Sequence, residues 1–345
     1  MQSMQEKTKT VEISVLMAVY NGEAFLREAI DSILQQSFTD FEFIIINDGS
    51  IDKTDEILQT YNDPRIVNID IGFNVGLIES LNRGIQHAQG KYIARMDADD
   101  IALKDRFKFQ IEAFQNNPKA IVVGTDYYSF SKEGKKRNTT HNDSDYLKSL
   151  LLFGPCFCHP STMIRNVFKS KHIEYDRHYL HVEDFQLWTE LSALGDFVNI
   201  NKPLLIYRYH VNQISNLKRM EQMRKCAEIR QHYLGGLGFQ FTEEQIKTHN
   251  FIGDNYFIKH KSELDDIQDW LLNLIHQNQT LTAFNDKAFN RIIGKMWWDS
   301  CGYSNLGLFA FRTFFRSEIS LVYKFNLAQK LTLLIKCLLR MFKEG

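Results

Sequence analysis

An acidic cluster, Asp97-Ala98-Asp99-Asp100, directly follows the largely apolar run 92–96. Two carboxylates one residue apart at the end of a strand can point into the same cleft. Hard divalent cations such as Mn²⁺ and Mg²⁺ prefer oxygen ligands and often bridge protein carboxylates to substrate phosphates. Acidic triplets also occur in solvated loops, but the position at a strand end disfavours that interpretation. The cluster therefore predicts a site for Mn²⁺ or Mg²⁺.

A further carboxylate, Asp48, follows a second apolar run, 41–46, in the segment Asn47-Asp48-Gly49-Ser50. At a strand end, its side chain could accept the imide N–H of uracil or a similar base. The alternative is a local Asx-turn in which Ser50 or Asp52 caps the helix that follows. We favour the structural role for Ser50 and Asp52, and the binding role for Asp48.

An alternation of strand and helix patterns places these polar groups near one another. Near-continuous apolar runs at Ile13–Val19, 41–46, 66–69 and 92–96 predict strands, and the segments between them carry apolar residues at helical spacing. This alternation predicts an α/β fold class with a mostly parallel central sheet and right-handed crossovers. Ligands of such sheets bind beyond the carboxyl ends of the strands, where both acidic segments fall.

The chain divides into a mixed region and a helical region. A further strand is predicted at 204–209, and a loop or hairpin at 131–145. Helices are the only pattern after about residue 217, and they are predicted at 217–234, 243–260, 263–277, 284–300 and 305–316. We therefore predict a flexible N-terminus (1–10), a catalytic domain (11–216) and an all-helical C-terminal region (217–345).

The final segment, 327–343, predicts an amphipathic helix, with Lys336, Arg340 and Lys343 opposite an apolar face. The apolar face consists of Leu327, Leu331, Leu334, Ile335, Leu338, Leu339 and Phe342. Such a helix could make peripheral contact with a membrane surface. It could equally pack onto the other helices, or onto a second subunit in a homodimer. Both interpretations stay open at the level of the sequence.

Composition bounds the class of protein. Hydrophobic residues make up 44% and charged residues 24% of 345 residues, which is enough apolar material to bury a core. The net charge of −1 creates no global field for nucleic acid, so no nucleic-acid partner is expected. An odd number of cysteines, without framework spacing, favours a reducing compartment. No signal-type segment or long apolar run occurs, so we expect a cytoplasmic protein, free or at the inner face of the cytoplasmic membrane.

The polar motifs occur in a set order along the chain. They are Ala18-Val19-Tyr20-Asn21, Asn47-Asp48-Gly49-Ser50 with Asp52 and Thr54, Asn74-x-Gly76, Asp97-Ala98-Asp99-Asp100, Glu183-Asp184 and His210. In this order they resemble the motifs of family 2 glycosyltransferases with the GT-A (Rossmann-like) fold, over residues 11–215. The resemblance implies an inverting transfer from a nucleotide-sugar, commonly UDP-linked, to a saccharide or lipid-linked saccharide. The setting it implies is the synthesis of bacterial polysaccharide or lipopolysaccharide.

The resemblance also implies roles for individual residues. The positions assigned to the nucleotide-sugar are Val19, Tyr20 (against the base), Asn21, Glu23, Asp48 (bound to the base) and Asp97 (at the ribose or donor sugar). Asp99 would hold the metal, with Asp97 and His210 as further ligands. Arg208 could neutralise the diphosphate, although it and His210 could equally belong to a boundary loop. Asn74 and Gly76 are either pocket residues or an ordinary turn.

The chemistry implied is general-base catalysis with electrostatic help for the leaving group. Asp184 matches the catalytic base that takes the acceptor's proton, and Glu183 beside it is the alternative. A metal held by Asp99 would stabilise the departing nucleoside diphosphate. Two other functions are weighed. A sugar nucleotidyltransferase normally has a basic, glycine-rich loop near its N-terminus, which is absent here. A non-catalytic nucleotide-sugar-binding protein is distinguished only by assay.

Overall fold

The structure is a computed structural model, and it describes residues 11–131, 134–209 and 218–341. A single sheet of nine strands lies at the centre of the first part of the described chain. The strands are β1 (Ile13–Val19), β2 (Phe41–Asn47), β3 (Ile66–Asp70), β4 (Tyr92–Arg95), β5 (Ile101–Ala102), β6 (Ala120–Ser131), β7 (Gly134–Asn138), β8 (Met163–Arg165) and β9 (Asp196–Arg208). They neighbour one another in the order β3-β2-β1-β4-β8-β6-β9-β5, and β7 pairs with β6.

The direction of pairing changes along the sheet. Strands β3, β2, β1 and β4 are parallel, whereas β8 runs antiparallel to both β4 and β6. Strands β6 and β9 are parallel again. The predicted α/β class is confirmed, with the parallel pairing concentrated in β1–β4 and returning in β6 and β9. Val19 lies in register with Asn47, so the loops that follow β1 and β2 begin as neighbours at one edge.

Helices cover this sheet. They are α1 (Leu26–Leu34), α2 (Thr54–Leu58), α3 (Leu77–His87), α4 (Arg106–Asn116), α6 (Phe168–Lys171) and α7 (Glu183–Leu191), with single 3₁₀ turns at His159–Ser161 and Arg177–Tyr179. Helix α1 buries Leu26, Ile30 and Ile33, which recur at three- and four-residue spacing and so share one face. That face joins the same core cluster as Val15 and Phe43 of the strands.

The chain divides into two compact units, Met1–Asp143 with Phe157–Arg219, and Ser144–Cys156 with Met220–Gly345. The second is helical, with α5 (Ser144–Leu150), α8 (Arg219–Gly236), α9 (Glu243–Gly253), α10 (Lys261–Leu281), α11 (Asp286–Gly302), α12 (Leu308–Arg316), α13 (Ile319–Val322) and α14 (Leu327–Met341). The domain limits derived from the sequence stay a prediction. The structure adds that the short α5 segment packs with the helical unit.

Buried polar bonds fix the α5 segment within the helical unit. The Trp270 indole N–H donates to His249 Nδ1 at 3.1 Å, and His249 Nε2 lies 2.7 Å from the Leu152 carbonyl oxygen. Because Nδ1 accepts a hydrogen bond, Nε2 must carry the proton and donate to that carbonyl. Burial lowers the pKa of His249 to about 3, so the ring is neutral at physiological pH. The buried guanidinium of Arg230 adds a bond of 3.0 Å to the Phe153 carbonyl oxygen.

The last helix, α14, packs only one side into the core of the helical unit. Leu333 and Cys337 are buried there, whereas other apolar side chains of the helix are exposed. Over the described ranges of the chain, no helix is both long enough and apolar enough to cross a bilayer.

Candidate active site

The loops that follow β1 and β2 hold each other through paired hydrogen bonds. The Asn21 N–H donates to Ser50 Oγ at 3.0 Å, and the Ile51 N–H donates to Asn21 Oδ1 at 2.9 Å. The Glu23 carboxylate accepts the Lys53 N–H at 3.1 Å in the same way. Asn21 and Glu23, predicted to line a nucleotide pocket, therefore also brace the two loops with their side chains.

The two other residues predicted at the end of β1 differ in accessibility. Tyr20 is 48% exposed, so its ring is available as a stacking face for a planar base. Val19 is buried, and its side chain packs in the core cluster of the sheet. The side chain of Val19 is therefore not available to a ligand.

Asp48 joins the end of β2 to the loop that precedes α3. Its buried carboxylate accepts the Val75 N–H at 2.7 Å and the Gly76 N–H at 3.0 Å, one on each oxygen. The structure thus brings Asp48 together with the predicted Asn74-x-Gly76 motif. Asn74 itself is exposed on this loop. Asp48 fixes the loop's main chain, and its remaining lone pairs are the acceptors it could offer a base.

The turn after Asp48 requires glycine. Gly49 has φ of +66°, in the left-handed region that side-chain-bearing residues avoid. A Cβ built there would lie 2.3 Å from the Phe73 carbonyl carbon. The turn can therefore approach the loop at 73–76 this closely only because position 49 has no side chain.

The acidic cluster after β4 crowds three carboxylates together. Asp97, Asp99 and Asp100 each offer one oxygen within 4.8 Å of the others. Asp100 is fully buried: its Oδ1 accepts the Arg208 N–H at 3.0 Å, but its Oδ2 has no hydrogen-bond partner. Burial, and then the charges of Asp97 and Asp99, raise the pKa of Asp100 well above its ordinary value. Crowded carboxylate oxygens, one of them buried and unpartnered, fit a hard divalent cation.

Arg95, within β4, supplies a buried positive charge beside this cluster. Its guanidinium is 2% exposed and donates to Asp97 Oδ1 at 2.5 Å and to the Met96 carbonyl oxygen. Burial raises the pKa of Asp97, and the charge of Arg95 opposes that shift. Arg95 therefore both orients Asp97 and offsets part of the repulsion within the cluster.

A second buried arginine, Arg106 of α4, ties the end of β4 to the turn before β8. Its guanidinium donates to the carbonyl oxygens of Arg95 at 2.8 Å and Thr162 at 2.9 Å. Burial lowers the pKa of Arg106 to about 9, so it still carries its charge at neutral pH. It therefore supports the acidic cluster through the main chain as well as by its charge.

Two further carboxylates, Glu183 and Asp184, occupy the first turn of α7. Burial is the main cause that raises the pKa of Asp184 from 3.8 to about 6, and that of Glu183 from 4.5 to about 7. The Phe185 N–H donates to Asp184 Oδ1 at 2.8 Å, whereas the buried Glu183 Oε2 has no partner. Asp184 is only half-buried and is the more accessible of the two.

Electrostatics show that the acidic cluster and α7 share one region. Burial, followed by the charges of Asp100, Asp97 and Asp184, raises the pKa of the Cys158 thiol well above its ordinary value. The charge of Asp97 also raises the pKa of Asp184. Because charge effects fall with distance, carboxylates from two distant parts of the sequence lie near one another around Cys158.

Polar bonds hold the segment before α7 rigidly. The Asn82 side chain donates to the Tyr175 carbonyl oxygen at 2.8 Å and accepts the Tyr175 N–H at 2.9 Å. The Tyr175 hydroxyl lies 2.7 Å from His159 Nε2. Burial lowers the pKa of His159 well below its ordinary value, so this histidine is a neutral, structural group. The irregular segment that leads into α7 is therefore held in place at Tyr175.

Arg208, the last residue of β9, lies beside the acidic cluster. Its guanidinium forms an ion pair with Glu28 and lies 5.0 Å from the centre of the Phe25 ring. Its main-chain N–H is the group that Asp100 binds. The predicted diphosphate contact would require this guanidinium to exchange partners. The predicted metal ligand His210 lies outside the described residues.

A cavity of about 340 Å³ lies beside the loop that Asp48 holds. It is lined by Val75, Gly76, Ile78, Glu79, Arg83, Arg177 and Leu180. Glu79 accepts hydrogen bonds from both Arg177 at 2.5 Å and Arg83 at 3.0 Å. The cavity thus joins the pocket loop to the segment just before Glu183, with one more positive than negative charge on its wall.

Three participants were not predicted from the sequence: Arg95, Arg106 and the unpartnered oxygen of Asp100. Asp100 stood within the acidic motif, and Arg95 interrupts an otherwise apolar strand, which is an unusual place for a charge. Arg106 gave no signal, because nothing in a helical pattern shows that a cation will be buried under a neighbouring strand.

Comparison with known proteins gives the family and the fold of this chain. Residues 14–173 match the family described as glycosyl transferase family 2. A Haemophilus influenzae protein described as an uncharacterized glycosyltransferase is 32% identical over 246 residues, covering 66% of this chain and 75% of its own. The amylovoran biosynthesis glycosyltransferase AmsE of Erwinia amylovora is 30% identical over 190 residues, covering 53% of this chain and 70% of its own. S. aureus TarS 1–349 in complex with UDP shares the fold with a TM-score of 0.54, at 16% identity, over 84% of this chain and 88% of that one. The expected GT-A fold is confirmed.

The role of Arg106 is testable by replacing it with Met and comparing Lys108→Met, a matched loss of charge at an exposed position of the same helix. Arg106→Met removes one hydrogen bond from each of the carbonyl oxygens of Arg95 and Thr162, of which the Thr162 oxygen keeps the Arg95 N–H, and it removes a cation beside the carboxylates. We expect it to lower the free energy of unfolding by about 3 kcal/mol, and Lys108→Met by less than about 0.5 kcal/mol. Chemical denaturation of both variants measures this, and equal effects would contradict the assigned role.

Proposed function

Because this chain belongs to glycosyltransferase family 2, we propose that it transfers a sugar from a UDP-linked donor with inversion at the anomeric carbon. The acceptor is a saccharide or lipid-linked saccharide in the synthesis of cell-surface polysaccharide. Two comparisons support this proposal: the name of AmsE refers to amylovoran biosynthesis, and TarS structures hold UDP and UDP-GlcNAc. The observation that carries it is the cluster of Asp97, Asp99 and Asp100, whose carboxylate oxygens lie within 4.8 Å of one another.

The nucleotide is assigned to the edge formed by β1 and β2. The exposed ring of Tyr20 stacks on the base, and Asp48 offers its remaining lone pairs to the base's N–H groups. The Asp48 carboxylate also accepts the N–H groups of Val75 and Gly76. The same carboxylate would therefore contact the base and hold the loop in place. Asn21 and Glu23 keep the two loops together through the bonds described above.

The donor's diphosphate is assigned to the acidic cluster through a divalent cation, Mn²⁺ or Mg²⁺. Asp99 and Asp97 would hold the cation, with His210 as a further ligand and Asp100 as a buried support. When bound, such a cation supplies electrostatic stabilisation of the negative charge on the leaving diphosphate. The Arg95 guanidinium donates a hydrogen bond to Asp97 Oδ1, which fixes the orientation of that carboxylate.

The transfer itself needs a base at the acceptor hydroxyl, and we assign that role to Asp184. The acceptor oxygen forms a bond to the anomeric carbon while the bond from that carbon to the diphosphate oxygen breaks. The electron pair of the broken bond leaves with UDP, and the hydroxyl proton moves to the Asp184 carboxylate. Asp184 is favoured over Glu183 because it is the less buried of the two, so an acceptor can reach it.

Replacing Asp184 with Asn tests the assignment directly. The amide oxygen can still accept the Phe185 N–H, so the fold and donor binding are retained while the base is lost. With a donor found by screening UDP-sugars with Mn²⁺, we expect turnover to fall by about 10²–10⁴-fold and the Kd for UDP to change by less than about twofold. Glu183→Gln is the matched control at the neighbouring position, and we expect a smaller loss.

Parental turnover in Asp184→Asn would refute the assigned base. A larger loss in Glu183→Gln than in Asp184→Asn would move that role to Glu183. UDP-sugar binding by the unaltered protein without turnover of any donor and acceptor would favour the non-catalytic binding protein instead.

The pH dependence of the rate follows from the raised pKa of Asp184. The carboxylate acts as a base only when ionised, so activity should be lost as the pH falls through about 6. We expect kcat/KM to fall about tenfold for each unit below that pH and to be nearly constant above about pH 7. Circular dichroism at each pH shows whether the protein is still folded where kcat/KM falls. If kcat/KM instead fell only near pH 3.8, the ordinary pKa of an aspartate, the burial of Asp184 would be contradicted.

A further inference from the structure

The exposed face of α14 is apolar. Leu333 and Cys337 pack into the helical unit and are 0% and 1% exposed. Five other apolar side chains are exposed: Leu327 (72%), Leu331 (52%), Ile335 (56%), Leu338 (37%) and Leu339 (62%). At 3.6 residues per turn these five fall within an arc of about 120°, on the side of the helix opposite Leu333 and Cys337. We name these five residues the apolar stripe.

Cations border the apolar stripe on both sides. By helical spacing, Lys330 lies on one flank and Lys336 on the other. The Lys330 ammonium lies 5.6 Å from the centre of the Phe315 ring, and the Lys336 ammonium lies 4.0 Å from the centre of the Trp298 ring. These ring contacts place each ammonium at the border of the stripe, beside an aromatic ring of the helical unit. The helix α14 contains no acidic residue.

The charges beside the apolar stripe favour one of two possible binding partners, a second copy of the chain or a bilayer surface. A second copy of the chain, joined about a two-fold axis, would place the same patch against itself. Both partners would then bring Lys330 and Lys336 toward like charges, with no carboxylate on either helix to balance them. An anionic bilayer surface instead offers acyl chains to the stripe and phosphates to the lysines.

We propose that α14 is a membrane-surface helix, which lies in the plane of an anionic bilayer with the apolar stripe among the acyl chains. Lys330 and Lys336 then meet phosphate groups of the lipids at either side of the helix. The protein needs no spanning segment for this attachment. By its sequence the chain continues with Phe342 and Lys343, again one apolar and one basic residue. The proposal holds whichever sugar the protein transfers.

Vesicle flotation of the full chain tests the proposal. We expect binding to phosphatidylcholine vesicles that contain about 30% phosphatidylglycerol, and at least about tenfold weaker binding to pure phosphatidylcholine or at about 0.5 M salt. The double variant Leu331→Glu, Ile335→Glu should bind the anionic vesicles at least about tenfold more weakly. Met220→Glu, the same change at an exposed apolar position of the helical unit, should bind as the parent does. Lys330→Gln with Lys336→Gln should weaken binding while leaving the stripe intact.

Light scattering of the same variants tests whether a second copy of the chain binds the stripe. A parent that fails to float with anionic vesicles would overturn the proposal, as would equal binding to both kinds of vesicle. A parental dimer that becomes a monomer in Leu331→Glu, Ile335→Glu, without vesicle binding by the parent, would assign the stripe to a second copy. Because both substituted side chains are exposed, the double variant should retain the parental circular dichroism spectrum.

Discussion

Negative charge crowded at the end of β4 is the constraint on which the rest of the candidate site depends. Asp97, Asp99 and Asp100 lie close enough to repel one another, and burial makes the ionised forms of Asp97 and Asp100 more costly still. Two buried arginines, one within β4 and one on α4, limit that cost and hold the turn in place. A site organised in this way is suited to a ligand that brings positive charge, which is why we propose a divalent cation, together with the donor's diphosphate, as its occupant.

The same buried, acidic surroundings raise the pKa values of the two carboxylates of α7. Burial, and to a smaller extent the charge of Asp97, disfavours the ionised carboxylate, so the pKa of Asp184 rises to about 6. A base with this pKa is still ionised at neutral pH and binds a proton better than an ordinary aspartate. Two hydrogen bonds between Asn82 and Tyr175 hold the segment that leads into α7. One electrostatic arrangement thus serves both ends of the reaction proposed above.

Much of the fold could be predicted from the sequence because local patterns determine it. The apolar runs of β1 and β2 and the spacing of α10 and α14 match the predicted segments to within a few residues. Strand β9 was predicted only at 204–209, because Asn199 and its polar neighbours hide the first half of Asp196–Arg208. The Asn199 amide bonds to Asp126 of β6, and such a distant partner cannot be recognised from a local pattern. The segment 131–145, predicted as a loop or hairpin, contains β7, which pairs antiparallel with the end of β6 before it, and α5 begins at its end.

The motifs indicated which residues matter but not all of what they do. Asp48 and the Asn74-x-Gly76 motif were predicted separately, and the structure joins Asp48 to Val75 and Gly76 of that motif through two hydrogen bonds. The buried arginines and the raised pKa values could not be predicted, because burial of a charge depends on neighbours far away in the chain. The amphipathic pattern of the last helix was visible, but which side packs inward was not.

The most direct test of the central claim is a crystal structure of the protein with Mn²⁺ and UDP, in which anomalous scattering locates the metal. We predict one manganese peak bonded to Asp99 and to the diphosphate, with the Asp184 carboxylate facing the same space. Manganese absent from Asp97, Asp99 and Asp100 at saturating concentration, or UDP bound away from them, would contradict it.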